Sequence, residues 1–223
     1  MDDKHCGNIL SWLGFQTREE QQDVLVLNVL LLGERQSGRS SVGNALIGGH
    51  EFQTGTSVSG VPVTAELGVR SRKFSAFFRR QGAESDLMLR VMDTPPTKLR
   101  PQSLQELCTD GVHVVVVVVR VDQLNENSRL LHQAESLFGP EWRDHAMLVF
   151  THADHLGEAG LQPSVYLSQT SDWLRTLAKE ARGGAFFLDN NSDWPSVRGR
   201  PLRDKLLQLS AKNHHKALRF RPD

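Results

Sequence analysis

The 223 residues set 26 lysines and arginines against 26 aspartates and glutamates, so no global field favours nucleic acid or an acidic membrane surface. Two cysteines, Cys6 and Cys108, exclude a disulfide framework and a cysteine-based metal domain. The length suits one α/β domain with short additions, and no apolar stretch reaches the ~20 residues that span a bilayer.

Residues 1–23 are polar at both ends, with Ile9, Leu10, Trp12 and Leu13 between, and are expected to form an N-terminal extension. Residues 24–223 then make one domain that includes a C-terminal helix. Its first element is an apolar run of strand length, Leu27 to Leu32. Gly33 to Ser40 follows as G-x-x-x-x-G-R-S, the phosphate-binding P-loop pattern with Arg39 where lysine usually stands. Ser41 to Ile47 reads as a helix, and strand, glycine-rich loop, helix is the context such a motif requires. Glycines allow the backbone to aim its N–H groups at phosphate oxygens, and the helix N-terminus adds positive partial charge. The Ser40 hydroxyl stands where a P-loop serine or threonine holds Mg²⁺.

Gly49 to Thr64 is long for a plain connection, as switch loops beside phosphate sites are. Thr64 is the candidate for a Mg²⁺ or γ-phosphate contact, with Thr54, Thr56 and Ser57 competing. Ala65–Arg80 and Asp86–Met92 read as a hairpin with a turn at Gln81 to Ser85, the antiparallel edge of a mostly parallel sheet. Asp93 at the tip of the second strand is where a Walker-type aspartate reaches Mg²⁺; the competing role is a strand-ending turn with Thr94, Pro95 and Pro96.

Gln102 to Thr109 is a short predicted helix. Val112 to Val119, interrupted only by His113, has the signature of a central strand buried on both faces, with His113 a core or strand-end residue. Asn125 to Phe138 has helical spacing, and Ala146 to Phe150 is the next strand. It leads into Thr151-His152-Ala153-Asp154, which aligns with the guanine box N-K-x-D. A carboxylate at Asp154 accepts from guanine N1–H and N2–H₂ together, and adenine offers no such pair. His152 takes the place of the lysine stem along the base; a helix-capping turn is the alternative for this box. His152 and His155 lack a nearby third ligand, which argues against zinc. Pro163–Arg182 is a predicted helix stopped by Gly183-Gly184, Ala185–Leu188 the last strand, and a closing helix runs through Leu202, Leu206, Leu209 and Phe220.

Together, G-E-R-Q-S-G-R-S-S-V-G-N-A-L-I-G, D-T-P-P, the valine run, L-V-F-T-H-A-D and G-G-A-F-F-L-D-N-N resemble the GIMAP (AIG-type) GTPases over about Leu27 to Asn191. The resemblance implies a Ras-like P-loop NTPase fold with helices on both sheet faces, binding GTP or GDP with Mg²⁺. By that likeness Gly33, Arg35, Gln36, Ser37, Gly38, Arg39, Ser40 and Ser41 hold phosphates. Thr151, His152, Asp154 and Asn190 or Asn191 hold the base, and Ser40, Thr64 and Asp93 the metal. It also implies a homodimer across the nucleotide face. No membrane anchor is read from the chain, so a cytoplasmic protein is expected. Two departures weaken the expected catalysis: Arg39 for the P-loop lysine, and Pro96, which has no N–H, for the glycine of D-x-x-G. The expectation is therefore nucleotide binding with weak or absent hydrolysis; the alternative is a pseudo-GTPase interaction module that binds no nucleotide.

Overall fold

The computed structural model describes residues 23–54, 67–94, 101–123, 128–189 and 195–221. Thr64, Pro95, Pro96, Asn190, Asn191 and all but one residue of the expected N-terminal extension lie outside these.

Six strands form one sheet in the order β2-β3-β1-β4-β5-β6. They are β1 (Val24–Gly33), β2 (Gly68–Arg80), β3 (Ala83–Asp93), β4 (Val114–Arg120), β5 (Ala146–Thr151) and β6 (Ala185–Phe187). β1 pairs in parallel with β3 and β4, β4 with β5, and β5 with β6; only β2 runs antiparallel, at the edge. The continuous apolar runs of β1, β4 and β5 are explained by burial on both faces. Leu30, Leu32, Val115, Val117 and Val119 face one layer of helices; Val29, Leu31, Val114, Val116 and Val118 face the other. The first layer holds α2 (Pro101–Leu107), α3 (Ser128–Phe138), α4 (Asp154–Glu158), α5 (Pro163–Gln169) and α6 (Asp172–Glu180). The second holds α1 (Arg39–Ile47) and α7 (Pro195–Lys212).

The β2–β3 turn is shorter than expected. Gln81 and Gly82 take φ of 50° and 86°, the pair of left-handed residues of a two-residue hairpin, so Ala83 to Ser85 join β3. A bulge between Phe74 and Phe78 leaves the Ala76 N–H to the Asp86 carboxylate, which also pairs with Lys73 at 2.7 Å.

The single helix expected over Pro163–Arg182 is two. Thr170 and Ser171 are both extended, with ψ of 170° and 150°. Ser171 sits as N-cap of α6 through its extended backbone, without a side-chain hydrogen bond to the first turn. Arg175 donates to the Ser168 carbonyl, satisfying an acceptor at the end of α5. Phe220 is not on the last helix either. His214 and His215 both have positive φ, 54° and 56°, and turn the chain back. Leu218 then bridges Val112, and Phe220 packs on Phe138 with ring centroids 5.2 Å apart.

α7 lies directly on α1. A Cβ on Gly199 would sit 1.6 Å from the Ala45 carbonyl oxygen, so only glycine permits the approach. The buried Arg203 donates to the Ala45 and Leu46 carbonyls, and Arg72 of β2 to those of Ile47 and Gly48. Two cations thus cover the carboxyl end of α1, where they complement its dipole. Arg203 also stacks over Phe74 and Arg200 over Phe77, at 4.5 and 4.1 Å.

At the opposite edge from the P-loop, the Asn28 N–H donates to Nδ1 of His113 (3.0 Å). Burial first, then His145 and His215, push the His113 pKa from 6.5 down to about 4, with Asp110 opposing. The unfolded chain therefore binds the proton more readily, and this part of the stability is present above about pH 6.5 and lost as pH falls towards about 4. Replacing His113 with Gln removes the titration. The difference in urea midpoint between the wild-type protein and the variant should therefore change across that window and be flat above it.

Candidate functional site

The parallel strands deliver their carboxyl ends to one edge, and the candidate residues gather there. β1 ends at Gly33, where a Cβ would meet Ser37 Oγ at 2.5 Å and the Val118 carbonyl at 2.8 Å. Gln36 (φ 62°) and Gly38 (φ 90°) turn the loop back on itself. Gly38 caps α1 without a side chain, so no hydroxyl or carboxylate of the cap competes for the first-turn N–H groups. Arg35 and Gln36 are exposed, and Ser37 and Arg39 are buried.

Arg39, the first residue of α1, points to the end of β3. Its Nη1 donates to the Thr94 carbonyl oxygen and to Thr94 Oγ1, and its Nε lies 3.7 Å from Asp93 Oδ1. Thr94 in turn donates its hydroxyl proton to the Leu31 carbonyl (2.7 Å). Ser40 Oγ donates to Asp93 Oδ2 at 2.8 Å. Burial lowers the Arg39 pKa, and Asp93 and Glu34 work against that. The guanidinium stays charged, since arginine does not deprotonate in proteins.

The Thr151–Asp154 box begins at the last residue of β5 and meets the P-loop directly. Thr151 Oγ1 donates to the Ser37 carbonyl (2.7 Å), and a Cβ on Gly38 would lie 2.9 Å from the Thr151 side chain. His152 has φ of 56°, and its Nδ1 is 3.2 Å from Thr151 Oγ1. Asp154 opens α4, 10% exposed, with His155 Nε2 at 3.8 Å. Leu188, just past β6, accepts from the Ala153 N–H, so the loop after β6 starts beside this box.

A fourth group was missed by the sequence reading. Arg120, the last residue of β4, and Asp122, just past it, form a bidentate pair at 2.6 and 3.0 Å, with His155 Nδ1 3.7 Å from Asp122. Burial raises the Asp122 pKa, but Arg120 and the local hydrogen bonds outweigh it and hold the carboxyl low. Burial and then Arg120 lower the pKa of His152, favouring its neutral ring. The signal available in the sequence was the position of Arg120-Val121-Asp122 after a central strand.

The Gly43-Asn44 pair that follows the P-loop has a structural task. The Asn44 side chain holds the Phe52 backbone through both its N–H and its carbonyl, at 2.8 and 2.9 Å, and the Phe52 ring fills the space beside Gly43. Thr54, one of the alternatives to Thr64, is exposed.

A mostly parallel sheet with helices on both faces, a P-loop at the end of β1, an aspartate at the end of β3 and a base-type box at the end of β5 define a Ras-like P-loop domain. A model of the AIG1 family matches residues 27–209, and the chain belongs to that family. Immune-associated nucleotide-binding protein 4 of Arabidopsis thaliana is 25% identical over 199 residues, 83% of this chain and 58% of that protein. GTPase IMAP family member 8 of Homo sapiens is 25% identical over 179 residues, 78% of this chain and 26% of that protein. The chain therefore spans less than two thirds of either relative. Toc33 from Arabidopsis thaliana in complex with Mg²⁺ and GMPPNP superposes with a TM-score of 0.57 at 19% identity, covering 88% of each chain. A dimerization-deficient mutant of Toc33 superposes at 0.55 and 19% identity, over 87% of this chain and 88% of that one. These likenesses bear on the fold. Among the described residues no helix is long and apolar enough to cross a membrane.

Gly38→Ala should destabilise the fold by ~1–3 kcal/mol, because it adds both positive-φ strain and a collision with Thr151. Gly82→Ala has a similar φ (86°) and nothing within 4 Å, and should cost ~1 kcal/mol. Chemical denaturation of the two variants separates the loop–box contact from the backbone term.

Proposed function

We propose that this chain is a guanine-nucleotide-binding protein, taking GTP or GDP, with weak or absent hydrolysis and impaired switching. The observation that carries the reading is the Thr151–Ser37 hydrogen bond, which joins a base-type box to a phosphate-type loop at one sheet edge. The distance between those two elements along the chain is bridged by the fold itself, as a ligand with a base at one end and phosphates at the other requires. Family membership and the nucleotide named for its relatives support the same ligand.

In this reading Gly33 and Arg35 to Ser41 line the phosphates, chiefly through backbone N–H groups at the start of α1. Asp154 accepts from guanine N1–H and N2–H₂. Neutral His152 lies along the base, with Thr151 and Asn190 or Asn191 completing its surroundings. Magnesium takes hard oxygen ligands, and the candidates of that kind are the Ser40 hydroxyl and the Asp93 carboxylate, which here bond to each other with Arg39 beside Asp93, and Thr64; these would hold any ion that binds. When bound, the ion would neutralise phosphate charge. Pro96 offers no N–H to a γ-phosphate, and no glutamine stands in the D-T-P-P region to orient water; both support weak turnover and little difference between the GTP and GDP states. A homodimer across the nucleotide face and a cytoplasmic location complete the proposal; the buried Cys108 thiol, its pKa pushed up to about 11 mainly by burial, suits a reducing compartment. A second reading, an interaction module without nucleotide, draws support from Arg39, whose guanidinium is engaged by Thr94 and Asp93.

Mass spectrometry of small molecules released from purified, denatured protein tests the two readings against each other: GDP or GTP is expected, and absence of nucleotide with no GDP binding in calorimetry favours the second. Asp154→Asn should weaken GDP binding by roughly 1.5–3 kcal/mol and improve binding of xanthosine diphosphate, whose C2 oxygen suits an amide donor. Unchanged GDP affinity would remove Asp154 from the site. Single-turnover hydrolysis should run near the uncatalysed rate. Hydrogen exchange over residues 93–99 should be alike with GDP and a non-hydrolysable GTP analogue; fast hydrolysis, or protection by the analogue alone, would overturn the lost-switch proposal.

A further inference from the structure

We infer that Arg39 is the resident counter-ion of Asp93, and that nucleotide binding at this site consequently depends little on Mg²⁺. The inference rests on the guanine-nucleotide reading and concerns how that site balances its charge.

Three observations carry it. The Asp93 carboxylate is 1% exposed, and both its oxygens face protein groups: Oδ1 lies 3.7 Å from Arg39 Nε, and Oδ2 accepts the Ser40 hydroxyl proton at 2.8 Å. The Arg39 guanidinium is held rather than free to swing, because its Nη1 donates to two atoms of Thr94, and Thr94 is itself hydrogen-bonded to β1 through the Leu31 carbonyl. The stem of Arg39 passes over Gly33, where a Cβ would come within 3.0 Å of its Cγ, so the route of the side chain is built into the loop.

The charge arithmetic follows from these positions. A P-loop lysine is a point charge on a flexible stem that reaches the β- and γ-phosphates, leaving the strand-end aspartate to the metal's hydration shell. Here a permanent monovalent cation already lies against that aspartate, with Glu34 as a second acidic neighbour. A divalent ion approaching Asp93 meets a carboxylate whose charge is offset, and is repelled by a guanidinium that cannot deprotonate. Phosphate binding then falls to the backbone N–H groups of the loop and the start of α1, which need no metal. The same two elements, P-loop and β3 end, that a bound ion would bridge are bridged by a side chain.

The test uses the full chain and labelled GDP, with dissociation constants measured in excess Mg²⁺ and in excess chelator. The wild-type protein should change by less than about threefold between the two conditions. Arg39→Lys frees Asp93, and its GDP affinity should fall by more than about tenfold on chelation. Thermal unfolding of Arg39→Lys alongside the wild-type protein shows whether the variant folds; if it does not, the wild-type chelation series alone decides. Wild-type GDP binding that weakens tenfold or more on chelation overturns this inference and leaves the nucleotide reading intact. Failure of both proteins to bind GDP under either condition overturns the two together.

Discussion

The site depends on one constraint, the parallel pairing of β1 with β3 on one side and β4 on the other. The register sets Leu31 opposite Asp93 and Gly33 opposite Val118, so the first loop and the first acidic residue emerge beside each other. A strand register is fixed where both faces are buried, because a slip of one residue exchanges the two side-chain sets. Here the sets pack against different helices: Leu30 and Leu32 towards α3 and its neighbours, Val29 and Leu31 towards α1 and α7. Core packing therefore fixes the short distances at the sheet edge, including the Thr94–Leu31 and Ser40–Asp93 hydrogen bonds.

The nine-residue helix α1 connects that edge to the rest of the molecule. A helix this short is marginal by itself and takes its stability from tertiary contact. Its amino end is left open by Gly38, and its carboxyl end is closed by Arg203 and Arg72. Arg203 is buried against Phe74 and its pKa is lowered to about 10, mainly by that burial, but it remains protonated at neutral pH. Losing its hydrogen bonds would expose a buried charge and two carbonyls at once, so the α1–α7 contact is a specific one that an apolar residue cannot reproduce.

Much of this was legible in the sequence because the signals were local. The Leu27–Leu32 and Val112–Val119 runs gave strands, G-x-x-x-x-G gave a loop, and the positions of Asp93 and Thr151–Asp154 at strand ends gave a common edge. The break at Thr170-Ser171 was less visible, since Tyr166, Trp173, Leu174 and Leu177 keep helical spacing across it. The reversal at His214-His215 was hidden because histidine is not a usual turn residue. The partners of Arg39 and Arg203 could not be read, because they lie far away in the chain, at Asp93 and Thr94 for the first and at Ala45 and Leu46 for the second. Sequence likeness suggests phosphate for Arg39; its contacts are with Asp93 and Thr94. The Arg120–Asp122 pair escaped for the opposite reason: it is local, but carries no motif.

The bond from Thr151 to the Ser37 carbonyl, with Gly38 packed against the same side chain, leaves no joint between the two ends of the candidate pocket. In proteins where separate lobes grip opposite ends of a ligand, each lobe can be retuned on its own and closure can report occupancy. This arrangement gives up that independence. A substitution that moves Thr151 also moves the carbonyl and glycine that shape the loop after β1, so the two ends of the site change together.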